Sequence, residues 1–270
     1  MESLTSAVVN ESDFQAAHEN VQRQLKLFAE LGVPVGSDAV ILDFGCGKGN
    51  TVYAYRKLGY KAFGVDIELR SSFFEQLLRQ EGLCTPDEEI FRSITTDDHA
   101  IPFDADSFDY VVSSVVFEHV QDYSRALSEI RRVLKQGGKS FHSFPSRYTL
   151  VEPHVHVPFA TVIRNYAYLY LWFSTLGRTQ LKGRSVKEAA SSSSAFLKNS
   201  TNYLTKKQIV QHVNTHFGNI EFVGKQLWKN STGRYKILYD LLSKFGFIKA
   251  VPLAAFLHSA FGRRSIFFVK

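Results

Sequence analysis

The chain is predicted to be an α/β protein, with a mostly parallel sheet and helices on both faces. Three observations predict this. The apolar run Ala39-Val40-Ile41-Leu42 reads as a buried parallel strand, and it leads through Asp43-Phe44-Gly45-Cys46-Gly47-Lys48-Gly49 into a helix from Asn50 to Leu58. A second strand, Lys61 to Asp66, ends in an acid 23 residues after Asp43. Strand and helix then keep alternating as far as Phe144, the pattern of a sheet covered on both sides.

The elements follow in order. An N-terminal helical segment is expected over 10–32. After the first two strands come a third at Glu89–Ile94, ending near Asp97-Asp98, and a fourth at Phe108–Ser114, leading to Glu118-His119-Val120. A helix from about Tyr123 to Lys135 is expected to stop at Gly137-Gly138, and a fifth strand runs from Lys139 to Phe144. An insertion fills 146–205, and a helix is expected around Gln208–Phe217. Strand six is placed at 219–228 and strand seven at 264–270, with a second insertion, 229–262, between them.

The loop after the first strand carries chemistry. Glycines at 45, 47 and 49 let the backbone turn sharply and approach a ligand closely, because no Cβ intervenes. The following helix aims its free N–H groups at the same place. Asp43 is an acceptor only and suits an amine or hydroxyl better than a phosphate. Asp66 stands at the spacing that puts a carboxylate beside a ribose diol in open α/β sheets.

The stretches LDFGCGKG, GVDIE, DDHAIPFDADSFDYVVSSVVFEHV and ALSEIRRVLKQGGKSFHSFP resemble the successive motifs of class I S-adenosylmethionine-dependent methyltransferases, nearest to the small-molecule group that includes ubiquinone-pathway and sugar methyltransferases. The resemblance covers a cofactor core of 38–145 and implies a Rossmann-like seven-stranded sheet, last strand antiparallel, with helical cap insertions, all within one domain of 1–270. It also implies the cofactor contacts. Asp43, Gly45, Cys46, Gly47 and Gly49 would face the methionine part of S-adenosyl-L-methionine, Asp66 the ribose hydroxyls and Ile67 the adenine. Asp97 would accept the adenine amino group, Asp98 would offer its backbone, and Ser114 and Val115 would lie near the sulfonium. A nicotinamide dehydrogenase would need Gly-x-Gly-x-x-Gly, whereas this loop reads Gly-x-Gly-x-Gly.

Composition narrows the setting. Two cysteines, Cys46 and Cys84, imply no disulfide framework and a reducing compartment. The first residues lack a basic-then-apolar leader pattern and no apolar run is long enough to span a bilayer, so the expected location is cytoplasmic. Charge is split: residues 1–145 hold 14 Lys and Arg against 22 Asp and Glu, and residues 146–270 hold 18 against 4. A basic half beside an acidic core suggests an anionic partner: substrate, lipid surface or nucleic acid.

Both insertions mix rings with positive charge. Val162–Leu176 contains Tyr166, Tyr168, Tyr170, Trp172 and Phe173, and Tyr235–Phe261 interleaves Leu and Phe with Lys236, Lys244 and Lys249. Such segments can form a dry substrate cap, the reading favoured here, or lie at a membrane interface as a peripheral contact. Their apolar character argues against a nucleic-acid partner. The sequence does not give the oligomeric state.

Two histidine-bearing places remain. Glu152-Pro153-His154-Val155-His156-Val157-Pro158 reads as an extended segment with both imidazoles on one side, making His154 and His156 the catalytic candidates for receiving an acceptor proton. Glu118-His119 resembles the end of a Glu-x-x-Glu-His pattern that holds a divalent cation in some relatives, but Val115 stands at the first glutamate. No metal is therefore expected, and His119 reads as a residue supporting the cofactor pocket. The function expected is S-adenosylmethionine-dependent methyl transfer to a small-molecule acceptor, a hydroxyl of a sugar, glycolipid or quinone-like compound, anionic or lipid-linked. The alternatives are an RNA or protein methyltransferase and a non-catalytic cofactor-binding scaffold.

Overall fold

In the first strand of the sheet, β1 (Val40–Phe44), four of five side chains are buried, as expected of a strand with helices on both faces. The computed structural model describes residues 11–95, 100–177, 181, 183–229 and 263–270. Around β1 stand α1 (Glu11–Glu30), α2 (Asn50–Lys57), β2 (Lys61–Asp66), α3 (Ser72–Gln80), β3 (Phe91–Ser93), β4 (Phe108–Ser114), α4 (Tyr123–Val133) and β5 (Leu134–Pro145). The later chain adds α5 (Tyr166–Thr175), α6 (Val186–Asn199), α7 (Lys206–Phe217), β6 (Glu221–Phe222), α8 (Gly224–Lys229) and β7 (Arg263–Val269). The seven strands form one sheet in the order β3-β2-β1-β4-β5-β7-β6. β1 is parallel to β2 and β4, β2 is parallel to β3, and β7 is antiparallel to β6. The predicted fold class is the observed one.

The chain divides into two compact units: Met1–Ser113 with Ser128–Phe141 and Val269–Lys270, and Ser114–Leu127 with His142–Phe268. In the first unit α1 buries Val21, Leu27 and Phe28, and the Phe28 ring meets Tyr110 at 5.1 Å and Phe141 at 5.8 Å. Register pairs Asp43 with Gly64 and Phe44 with Val65, bringing the carboxyl ends of β1 and β2 level. An added Cβ at Gly64 would stand 2.7 Å from the Cys46 sulfur, so only glycine permits that close approach.

In the second unit α5 and α6 pack through Leu169, Phe173, Ala189, Ala190 and Leu197, with Val157 and Ala160 in the same cluster. Ser185 and Glu188 form a capping box at the start of α6, and Thr205 and Gln208 do the same for α7. The insertion expected at 146–205 is thus a helical pair with its own core.

Three expectations are corrected. Strand six, expected over 219–228, pairs with β7 only at Glu221 and Phe222. The chain then turns into α8, where the Leu227 N–H donates to the Val223 carbonyl at 3.1 Å. Gly137-Gly138 does not end the helix: α4 stops at Val133, and the glycines lie inside β5. There the Gly137 N–H donates to the Lys270 carbonyl and the Lys270 N–H to Gly138, so the glycines bend a strand that stays paired. Finally, Glu152–Pro158 is a turn, not an extended segment. The Glu152 N–H donates to Val157 and the His156 N–H to Glu152, and Val151 bridges Pro158.

Candidate functional site

The first unit gathers Asp43, Gly45, Cys46, Gly47, Gly49, Asp66 and Ile67 at the ends of β1 and β2. Gly45, Gly47 and Gly49 all have positive φ, at 78°, 51° and 85°. The loop is pinned to β2 by Gly45 and Cys46 N–H groups donating to the Val65 carbonyl at 2.8 and 3.0 Å. Gly49 caps α2, and a Cβ there would stand 2.6 Å from the Phe91 ring. Asp66 holds the loop from the other side: Oδ2 accepts from the Gly47 N–H at 2.7 Å and Oδ1 from the Glu68 N–H at 2.9 Å. Each carboxylate oxygen retains capacity for a second donor, so a diol can still be bound. Ile67, next along, leaves 63% of its surface open.

Asp43 is buried at 5% exposure. Burial, with the Asp66 carboxylate adding to it, pushes its carboxyl up to about 7, while the Thr51 hydroxyl pulls the other way. A buried acid beside a second acid has an unmet need for positive charge, which an ammonium group supplies. The Cys46 thiol is pushed up by burial and by Asp43 and Asp66, so it packs as an uncharged side chain and is no nucleophile. Asp97 and Asp98 lie outside the described residues.

The remaining expected residues belong to the second unit. Ser114 ends β4 and is half-buried, and Val115 follows with φ 61°. Positive φ in a β-branched residue is an outlier, held here by its N–H donating to the Ser143 carbonyl at 2.8 Å. The turn at 152–158 separates the two histidines. His154 points inward, whereas His156, at φ 55°, is exposed. The two imidazoles thus do not act side by side as the extended reading assumed.

Glu152 explains the turn. Its fully buried carboxylate accepts four hydrogen bonds: His154 N–H at 2.8 Å and Val155 N–H at 2.7 Å on Oε2, and His154 Nδ1 at 2.7 Å and the Tyr203 hydroxyl at 2.6 Å on Oε1. Burial alone would raise this carboxyl, but the bonds from His154, Tyr203 and Val155 bring it below its ordinary range. In return the bond to Glu152 raises His154, burial opposes it, and the charges of Glu152 and Glu118 add to the rise.

The other face of His154 meets two residues from the segment after β4. Its Nε2 is 3.2 Å from His119 Nε2, with the rings nearly perpendicular at 77°. His119 Nδ1 lies 2.7 Å from the Ser200 carbonyl. Glu118 is 1% exposed, neither carboxylate oxygen has a hydrogen-bond partner among the described residues, and burial pushes it up to about 7. Glu118, His119 and His154 each present a ligand atom within 4.8 Å of the others. Glu152 and Tyr203, which organise this cluster, were not singled out from the sequence. An acid two residues before a histidine was the available signal for Glu152; Tyr203, 51 residues on, gave none.

Residues 42–141 match the family model described as a methyltransferase domain. The methyltransferase YcgJ of Bacillus subtilis (strain 168) is 30% identical over 145 residues, 49% of this chain and 53% of that protein. A demethylmenaquinone methyltransferase of Staphylococcus aureus is 34% identical over 114 residues, 42% of this chain and 45% of that protein. The chain spans about half the length of the curated relatives it matches. Among solved structures, geranyl diphosphate C-methyltransferase from Streptomyces coelicolor A3(2) aligns at a TM-score of 0.47 and 17% identity, covering 93% of this chain and 78% of that one.

Proposed function

We propose that this chain, whose residues 42–141 match the family model of a methyltransferase domain, takes S-adenosylmethionine as its methyl donor and methylates a hydroxyl of a small molecule. The observation that carries the donor half is the loop at 45–49, pinned between Val65 and Asp66 with Asp43 buried beneath it. Asp43 draws the ammonium of the donor, the loop amides and glycines receive its amino-acid end, and Asp66 takes the ribose diol. Bound there, the donor supplies an electrophilic methyl group on a sulfonium.

The acceptor half rests on the second unit. Methylating a hydroxyl releases a proton, and His154, oriented by Glu152 so that Nε2 faces away from that acid, is the group proposed to receive it. The segment 147–176 leaves Tyr148, Leu150, Phe159, Val162 and Leu171 exposed, and Arg147 and Arg164 lie in the same stretch. An acceptor with an apolar body and a polar or anionic head fits that surface: a glycolipid, a quinone-like compound or a lipid-linked sugar.

The test is transfer of labelled methyl from S-adenosylmethionine to a panel of hydroxylated acceptors, with RNA and protein in parallel. Labelling confined to small hydroxylated compounds is expected. Labelling of RNA or protein alone would replace the acceptor reading, and cofactor binding without transfer to any class would leave a scaffold.

A further inference from the structure

We propose that Glu118, His119 and His154 bind a divalent transition-metal ion, taken from the zinc and cobalt class. The protons on the two imidazoles are fixed by their outer partners. A carbonyl oxygen only accepts, so His119 carries its proton on Nδ1, facing Ser200 at 2.7 Å. His154 likewise donates from Nδ1 to Glu152 at 2.7 Å. With its proton on Nδ1, each ring in its neutral form presents a lone pair at Nε2, and the two Nε2 atoms face one another at 3.2 Å. Two acceptors so placed repel unless a cation stands between them.

The separation suits a metal. Two nitrogens each about 2.0–2.1 Å from an ion, at a tetrahedral angle, stand about 3.3 Å apart. Glu118 supplies the third ligand and the charge: a carboxylate at 1% exposure with both oxygens unpartnered is costly to bury unless it meets a cation. The outer partners match as well, since metal-bound imidazoles commonly donate their second N–H to a carboxylate or carbonyl, here Glu152 and Ser200. Two nitrogens and one carboxylate favour zinc or cobalt over magnesium, calcium or manganese, which prefer shells of oxygen. Three protein ligands also leave positions open for water or a substrate oxygen.

The expectation of no metal rested on Val115 in place of a first carboxylate. The turn around Glu152 brings in His154, 35 residues beyond His119, as a ligand that the local spacing could not reveal. With an ion present, His154 serves as ligand and not as base, a consequence that rests on the methyl-transfer reading; the binding itself does not.

The chain of 270 residues, with any histidine tag removed and stripped with chelator, should take up one equivalent of zinc by calorimetry, at least about a hundredfold more tightly than magnesium. Cobalt should give a visible absorption band at the same stoichiometry. His119→Asn and His154→Asn should each weaken zinc binding about a hundredfold, and Glu118→Gln should weaken it with both histidines intact. Circular dichroism and cofactor titration on the same samples separate unfolding, and failure of the methyl-donor reading, from loss of the metal site. Absence of stoichiometric zinc uptake by the folded wild-type chain would overturn the proposal, as would zinc binding that survives both histidine variants; the facing nitrogens would then share a proton.

Discussion

Asp66 and Glu152 are both acids that hold a loop through two backbone N–H groups, yet the two units use them differently. Asp66 is half-buried and spends one lone pair on each oxygen, keeping the rest for a ligand. Glu152 is fully buried and its four acceptor positions are all occupied, so it can bind nothing further and can only orient. The first arrangement leaves acceptor capacity open at the edge of the loop; the second makes a support for another side chain. Substitutions in the two places should therefore fail in different ways.

The largest effect is expected at Glu152. In Glu152→Gln an amide nitrogen, which can only donate, replaces one oxygen, so two of the four donors lose their acceptor whichever way the amide turns. Charge-assisted bonds contribute about 1.5–3 kcal/mol each, so a loss of about 3 kcal/mol is a conservative expectation. That corresponds to a fall in melting temperature of roughly 5–10 °C for a chain of this size. Cofactor affinity should stay at the wild-type level. A shift below about 2 °C would show that Glu152 is not the support assigned to it.

Asp66→Ala should do the opposite. The amides it releases lie near solvent and can turn to water, so thermal unfolding of the free protein should move little. Cofactor affinity should fall at least tenfold, about 1.4 kcal/mol, because the diol loses both of its acceptors. Calorimetric titration with S-adenosylmethionine measures this directly, and an unchanged affinity would remove the ribose assignment.

Asp43 sharpens the contrast through pH. Its carboxyl, at about 7 in the folded chain against an ordinary value of 3.8, binds its proton more tightly when folded. The cost of burying the charge is thus absent below about pH 4, grows as pH rises toward 7, and is complete above 7. Asp43→Asn should raise the melting temperature of the free protein at pH 8 by several degrees and change it little at pH 4.5, while weakening cofactor binding at pH 8. Equal melting temperatures at pH 8 would mean that the ionised acid is compensated by something other than the ligand.

These differences also explain what the sequence revealed. The loop geometry of the first unit was legible because its parts are contiguous: Asp43, three glycines at alternate positions and Asp66 after one helix, all local consequences of strand, turn and helix. The mostly parallel sheet followed from the same alternation, whereas its full strand order did not. The cluster in the second unit was legible only in fragments. Glu118 and His119 were noticed but judged by local spacing, while His154, Ser200 and Tyr203 lie 35, 81 and 84 residues or more from those partners in a chain whose turns decide their meeting. Glu152–Pro158 departs from the extended reading because period-two alternation does not reveal the carboxylate of Glu152 that folds the segment into a turn. The length of β6 failed for a related reason: pairing partners, not local propensity, set where a short strand ends.

The smallest effect is expected at Val115, where two costs oppose. At φ 61° a β-branched side chain is strained by roughly 1–2 kcal/mol, which glycine relieves. Glycine in turn brings a backbone-entropy cost of roughly 0.5–1 kcal/mol and gives up a half-buried isopropyl group. Val115→Gly should therefore change stability by less than about 1 kcal/mol, with the N–H to Ser143 preserved. Val111→Gly, four residues earlier in β4, is the control: that side chain is fully buried and its φ is ordinary, so only losses remain and about 3 kcal/mol or more should go. Denaturant unfolding of the pair measures the difference. If Val115→Gly costs as much as Val111→Gly, the backbone at 115 carries no strain, and the departure from the strand at Val115 must be attributed to side-chain packing instead.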